Sequence, residues 1–77
     1  MELEIISFGK IAEVIQSQQL AVSALRNTDE LKIYLEKSFP LLSTMKYKLA
    51  LNKTIVQENL ELKNNDTVAI MPPFSGG

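Results

Sequence analysis

Hydrophobic and polar residues alternate from the start of the chain. In Glu2-Leu3-Glu4-Ile5-Ile6-Ser7-Phe8, Leu3 and Ile5 fall on one face of an extended strand, and Glu2, Glu4, Ile6 and Phe8 fall on the other. The acidic face is expected to be the wet one. Ile6 and Phe8 share it, so it is either a surface for a partner or an outer face partly covered by a loop. Gly9 ends the strand, and Ile11, Val14 and Ile15 recur at helical spacing, which predicts a short helical turn docked on the core. Gln16-Ser17-Gln18-Gln19 reads as a polar connector. After it Leu20, Val22 and Ala24 alternate with Ala21 and Ser23, the period of a second strand paired with the first as in a hairpin.

The periodicity then changes from two to three and four. Asn27 is placed to cap a helix, Glu30 to reach back to the cap, and Asp29 and Glu30 to favour the positive helix end. Leu31, Tyr34 and Leu35 form its apolar stripe, with the Tyr34 hydroxyl expected at the rim of the core. Pro40 disfavours helical backbone at Phe39, so the helix is predicted to close between Glu36 and Ser38. Leu41-Leu42-Ser43-Thr44-Met45 reads as a loop with apolar anchors. Lys46 to Leu51 alternates again, with Tyr47, Leu49 and Leu51 inward and Lys46, Lys48 and Ala50 outward. Asn52-Lys53 is a candidate tight turn, and Thr54-Ile55-Val56 a short returning strand. Leu60 and Leu62 lie in a connector leading to a polar turn, Lys63-Asn64-Asn65-Asp66. The last strand is Thr67 to Met71, with Val68 and Ile70 in the core and Thr67, Ala69 and Met71 outside. The predicted order is β-β-α-β-β-β: an α+β domain in which one main helix covers a mixed sheet.

The chain closes on Met71-Pro72-Pro73-Phe74-Ser75-Gly76-Gly77. Two prolines fix φ and remove two amide donors, so the last strand must leave the sheet there in an extended direction. Residues 1–71 are therefore read as the domain and 72–77 as a flexible tail. Gly76 and Gly77 lack Cβ atoms, so the backbone there can pass through a channel too narrow for side chains and present the Gly77 carboxylate at its far end. Beside the exit, Ile6, Phe8 and Met71 are assigned outward by period. Ile55 is expected to reach the same region and Phe74 to extend it, an apolar patch with the composition of an interface core.

Composition narrows the chemistry. The 77 residues suffice for one domain and leave no room for a second lobe. With no Cys and no His, the chain lacks thiolate and imidazole groups, so catalysis by this chain alone and a metal site are not expected. A net charge of −1 with seven lysines and one arginine scattered along the chain does not match a nucleic-acid binder. No stretch has the apolar length of a membrane span, and the residues after Met1 lack the pattern of a secretory signal, so a cytoplasmic location is expected.

The pattern as a whole resembles the small subunit of molybdopterin synthase, a ubiquitin-like β-grasp sulfur carrier. The likeness rests on the Pro72-Pro73-Phe74-Ser75-Gly76-Gly77 ending, the Ala50-Leu51-Asn52-Lys53 turn, and the opening strand ending in Phe8 before a short helix. Ala12 stands where relatives often carry an arginine, before the glutamate matched by Glu13, and Asn65 replaces a usual glycine before Asp66. The resemblance implies that the Gly77 carboxylate is adenylated by an ATP-dependent activating enzyme and converted to a thiocarboxylate by a sulfur-donor protein. AMP and sulfur are then held only transiently on Gly77, and no cofactor is bound permanently. It further implies that the tail, with Gly76 threading, enters the large synthase subunit in a heterotetramer, where catalytic groups of that subunit pass the sulfur to a cyclic pterin precursor. Ile6, Phe8, Ile55, Met71, Pro72, Pro73, Phe74 and Ser75 would meet partners. A thiamine-pathway sulfur carrier and a ubiquitin-like protein modifier share the projecting Gly-Gly end and are the alternative readings.

Overall fold

In the computed structural model, which describes residues 1–23 and 25–73, Glu2–Ser7 (β1), Gln18–Ala21 (β2), Lys48–Leu51 (β3), Thr54–Ile55 (β4) and Asp66–Met71 (β5) form one mixed sheet. Its order is β2-β1-β5-β3-β4. β1 and β5 are parallel neighbours, and the other pairs are antiparallel. The helical turn Ile11–Val14 (α1) follows β1, and the helix Thr28–Ser38 (α2) lies between β2 and β3 in the chain. This is the expected α+β layer pair, with the last strand at the centre of the sheet.

Strand alternation decides which face is covered. Leu3, Ile5, Leu49, Val68 and Ile70 are buried on the inner face, where Leu31 and Leu35 of α2, Ile11 and Ile15 around α1, and Leu42 and Leu62 meet them. Each such side chain stabilises the fold by about 1.5–3 kcal/mol relative to exposure. Among the described residues no helix is long and apolar enough to cross a membrane.

Several boundaries differ from the sequence reading. β2 starts at Gln18, inside the expected polar connector, because Gln18 and Gln19 pair with Ile5 and Glu4 and need no apolar side chain at a sheet edge. Val22 is buried just beyond β2, its N–H donating to the Met1 carbonyl at 2.8 Å. Ala24, assigned to the same strand, lies outside the described residues. Residues 40–44 form a 3-10 turn where a loop was expected, since Pro40 supplies a helical φ at its first position. Leu42 is its buried anchor, while Leu41 is 64% exposed. Lys46 and Tyr47 precede β3 rather than extending it.

The helix start shows how a cap adapts to its neighbours. The Glu30 N–H donates to Asn27 Oδ1 at 2.9 Å, as the sequence implied. The Glu30 carboxylate does not return to Asn27; it accepts from the Arg26 N–H at 2.8 Å. Beside the cap, Asn27 and Glu61 form an antiparallel bridge in which Thr28 N–H donates to Leu60 O and Leu62 N–H to Arg26 O.

Candidate functional site

The centre of interest is the point at which β5 leaves the sheet. Register places its outward residues among their neighbours: Ile6 pairs with Ala69, Ala69 with Ala50, and Ala50 with Ile55. These four side chains form one apolar row across four strands of the outer face. One step nearer the exit, Lys48 pairs with Met71, and Phe8 lies just past the end of β1, its N–H donating to the Ile70 carbonyl at 3.0 Å. One step the other way the face turns polar, with Glu4 beside Gln19 and Thr67, and the Thr67 hydroxyl donating to Glu4 Oε1 at 3.2 Å.

Phe8 is 50% exposed, and Ile6, Ile55, Ala69 and Met71 are half-buried. Ala50, expected outward, does face this side but is only 4% exposed, because Ala69 and Ile55 flank it in the row. The structure brings Phe8, Met71 and Pro72 together at the exit. Ile55 stands elsewhere, three strand spacings along the row from Ile6, a separation of roughly 14 Å. There it lines a recess of about 320 Å³ with Lys32, Tyr47, Lys48, Leu49, Val56 and Gln57.

Pro72 is half-buried and Pro73 exposed. Pro72 rests on Gly9: a Cβ built on Gly9 would stand 3.0 Å from Pro72 Cγ and 3.5 Å from its Cδ. Gly9 also holds φ +56, a left-handed conformation that favours glycine. The sequence reading treated Gly9 only as a strand stop; its place between Phe8 and a helical turn was the signal for a tighter role. Phe74, Ser75, Gly76 and Gly77, the other expected site residues, lie outside the described residues.

The opposite end of the outer face is braced by turns. Asn52 and Lys53 hold φ 48 and 75, so both central residues of the β3–β4 turn are left-handed. Asn52 ties this turn to β5: its Nδ2 donates to Asp66 Oδ1 at 2.9 Å, and its Oδ1 accepts from Thr67 N–H at 2.9 Å. Asn65 holds φ 69, a left-handed conformation that Asn tolerates best among residues other than glycine, and its N–H donates to the Glu2 carbonyl at 2.7 Å. Beneath the other edge, the Tyr47 hydroxyl donates to Glu36 of α2, and Lys32 Nζ lies 5.8 Å from the Tyr47 ring centroid. Burial pushes the Tyr47 hydroxyl above its ordinary pKa, and the hydrogen bond to Glu36 and that carboxylate's charge push it further the same way.

Comparison with known proteins adds the family context. The sequence profile described as the ThiS family matches residues 5–77. Among solved structures, a protein from Pyrococcus furiosus bearing the name molybdopterin converting factor, subunit 1, superposes with TM-score 0.83 at 15% identity, over 95% of this chain and 98% of that one. SAMP1 from Haloferax volcanii superposes with TM-score 0.78 at 20% identity over the full length of both chains. A chain from the complex of subunits 1 and 2 of molybdopterin-converting factor from Helicobacter pylori matches with TM-score 0.69 at 26% identity, again over the whole of both chains.

Proposed function

The chain belongs to the ThiS family of ubiquitin-like sulfur carriers and has the β-grasp fold, and from that premise we propose that it is the sulfur-carrying small subunit of a molybdopterin synthase. The observation that carries the reading is the exit of β5, where the central strand ends beside Phe8 and Met71 and hands the chain to Pro72-Pro73-Phe74-Ser75-Gly76-Gly77. Likeness over full length to a chain from a complex of subunits 1 and 2 of molybdopterin-converting factor supports a large-subunit partner.

In this reading the reactive group is the Gly77 carboxylate. Carboxylate is a poor electrophile, so an activating enzyme supplies ATP. One carboxylate oxygen attacks the α-phosphorus, pyrophosphate leaves, and an acyl-adenylate remains. Sulfur at the hydrosulfide level, delivered by a donor protein, attacks the acyl carbon; AMP departs and a thiocarboxylate forms. No side chain of this protein enters either step, which suits a sequence without Cys or His. Glycine at the end leaves the acyl carbon unshielded, and Gly76 lets the segment thread. The apolar row with Phe8 and Met71 docks on the large subunit and aims the terminus at a cyclic pterin precursor, whose dithiolene the transferred sulfur builds. AMP and sulfur reside on Gly77 only transiently.

Intact mass spectrometry of the chain with activating enzyme, ATP and a sulfur source tests the proposal. Replacement of one oxygen by one sulfur, reversed by adding the large subunit and pterin precursor, is the expected result. Isopeptide-linked adducts on lysines would make the chain a modifier instead. A thiocarboxylate that a thiazole-forming enzyme consumes and the large subunit does not would assign it to thiamine synthesis.

A further inference from the structure

We infer that Gly9 is a positioning residue for the tail: the bare backbone of the β1–α1 turn is a seat for the Pro72 ring, and this contact sets the direction in which the chain leaves the sheet. The inference deepens the proposed function and rests on it for its kinetic consequence. Pro72 has no N–H, so the first residue beyond β5 donates no ladder hydrogen bond. Its position depends on side-chain packing, and Gly9 is the residue beneath it, at a distance that leaves no room for a methyl group without displacement.

The seat itself is rigid. Phe8 N–H is bonded to the Ile70 carbonyl at 3.0 Å, one strand residue before Met71. On the other side of Gly9, Ile11 N–H donates to Phe8 O and Ala12 N–H to Gly9 O, both at 3.1 Å, so the turn is fastened to β5 and to α1 together. A Cβ at residue 9 therefore presses on the proline ring and, at φ +56, also strains the turn, and the Pro72→Ala background separates the two effects. Five residues follow Pro72, a reach of roughly 17 Å when drawn out, so the direction given at Pro72 and Pro73 sets where the tail begins its approach to a partner. A changed exit direction makes productive placement of the terminal carboxylate rarer, and a misplacement of about 1 Å at the reacting centre is costly.

The test compares Gly9→Ala, Pro72→Ala and the double variant with the parent chain. Gly9→Ala is expected to lower kcat for thiocarboxylate formation about tenfold while the chain's KM with the activating enzyme stays within about twofold, since no exposed side chain is removed. Loss of fold alone does not produce that split, and a thermal melt run alongside confirms that the variants are folded at the assay temperature. In the Pro72→Ala background, where the opposing ring is gone, adding Gly9→Ala is expected to have no further effect on kcat. The contact can also be read without any enzyme. Residual dipolar couplings of the Cα–Hα bond at Pro73 are expected to change in Gly9→Ala. Unchanged couplings, or an equal kcat loss from Gly9→Ala with and without Pro72, would overturn the inference. So would changed couplings with parental kcat. If the parent chain is never thiocarboxylated, the functional reading fails, while the couplings still decide whether Gly9 directs the exit.

Discussion

Lys53 occupies a backbone conformation that costs an ordinary side chain about 1 kcal/mol, at φ 75 in the β3–β4 turn. Among the described residues no side-chain bond of Lys53 offsets that cost, whereas Asn52 beside it is held by Asp66 and Thr67. Lys53→Gly is therefore expected to raise stability by about 0.5–1 kcal/mol in urea denaturation, the relief of strain outweighing the extra freedom of the unfolded chain. Asn52→Gly is expected to destabilise, because it removes the tie to β5. The Tyr47 hydroxyl gives a second test at this scale. Its pKa is raised in the folded state by burial first and Glu36 second. The fold thus holds this proton more tightly than the unfolded chain, so the contribution is intact below about pH 10, the unfolded value, and is lost as pH climbs toward the raised folded value. Unfolding free energy measured from pH 9 to 11 should fall more steeply for the parent than for Tyr47→Phe, about pH 10 being where the curves begin to part. Parallel curves would show that the phenol is not coupled to folding.

Helix α2 is secured to the sheet's return segment through one side chain that periodicity does not reveal. Thr28 is 1% exposed, and its Oγ1 accepts from the Leu60 N–H at 3.0 Å while Asn59 Oδ1 accepts from the Asp29 N–H at 3.0 Å. Thr28→Val keeps the shape but leaves a part-buried N–H unpaired, an expected loss of about 1 kcal/mol, with Thr28→Ser restoring most of it in the same denaturation assay. Asn27, Leu31 and Leu35 were legible beforehand because capping and helical spacing are local signals. Thr28 was not, since its partner lies 32 residues away. The same distinction explains the strands. Leu3, Ile5, Val68 and Ile70 announced their face by alternation, but β2 draws its register from pairing with β1, so its polar start at Gln18 looked like a connector. At the candidate site, Phe8 and Met71 could be placed outward from period alone. The seating of Pro72 on Gly9 and the burial of Ala50 depend on neighbours across the sheet and could not.

At the scale of the molecule, the sheet carries a core on one face and, on the other, an apolar row with Phe8 and Met71 at the point where the chain departs. The central position of β5 matters here: with β1 on one side and β3 on the other, the exit is held from both flanks, so a partner that grips the row also fixes the origin of the tail. If the row is the docking surface, its exposed aromatic residue should act as an anchor. Phe8 loses little burial in the free chain when truncated, being 50% exposed, whereas the half-buried Met71 has more contact to lose. Phe8→Ala is accordingly expected to weaken calorimetric affinity for the large synthase subunit by more than about 1 kcal/mol, a factor of roughly five in Kd, with little change in melting temperature. Met71→Ala is expected to lower both. The two readouts separate interface from core: if Phe8→Ala melts markedly lower yet binds with parental affinity, Phe8 serves the fold, and the surface that receives the large subunit must lie on another face.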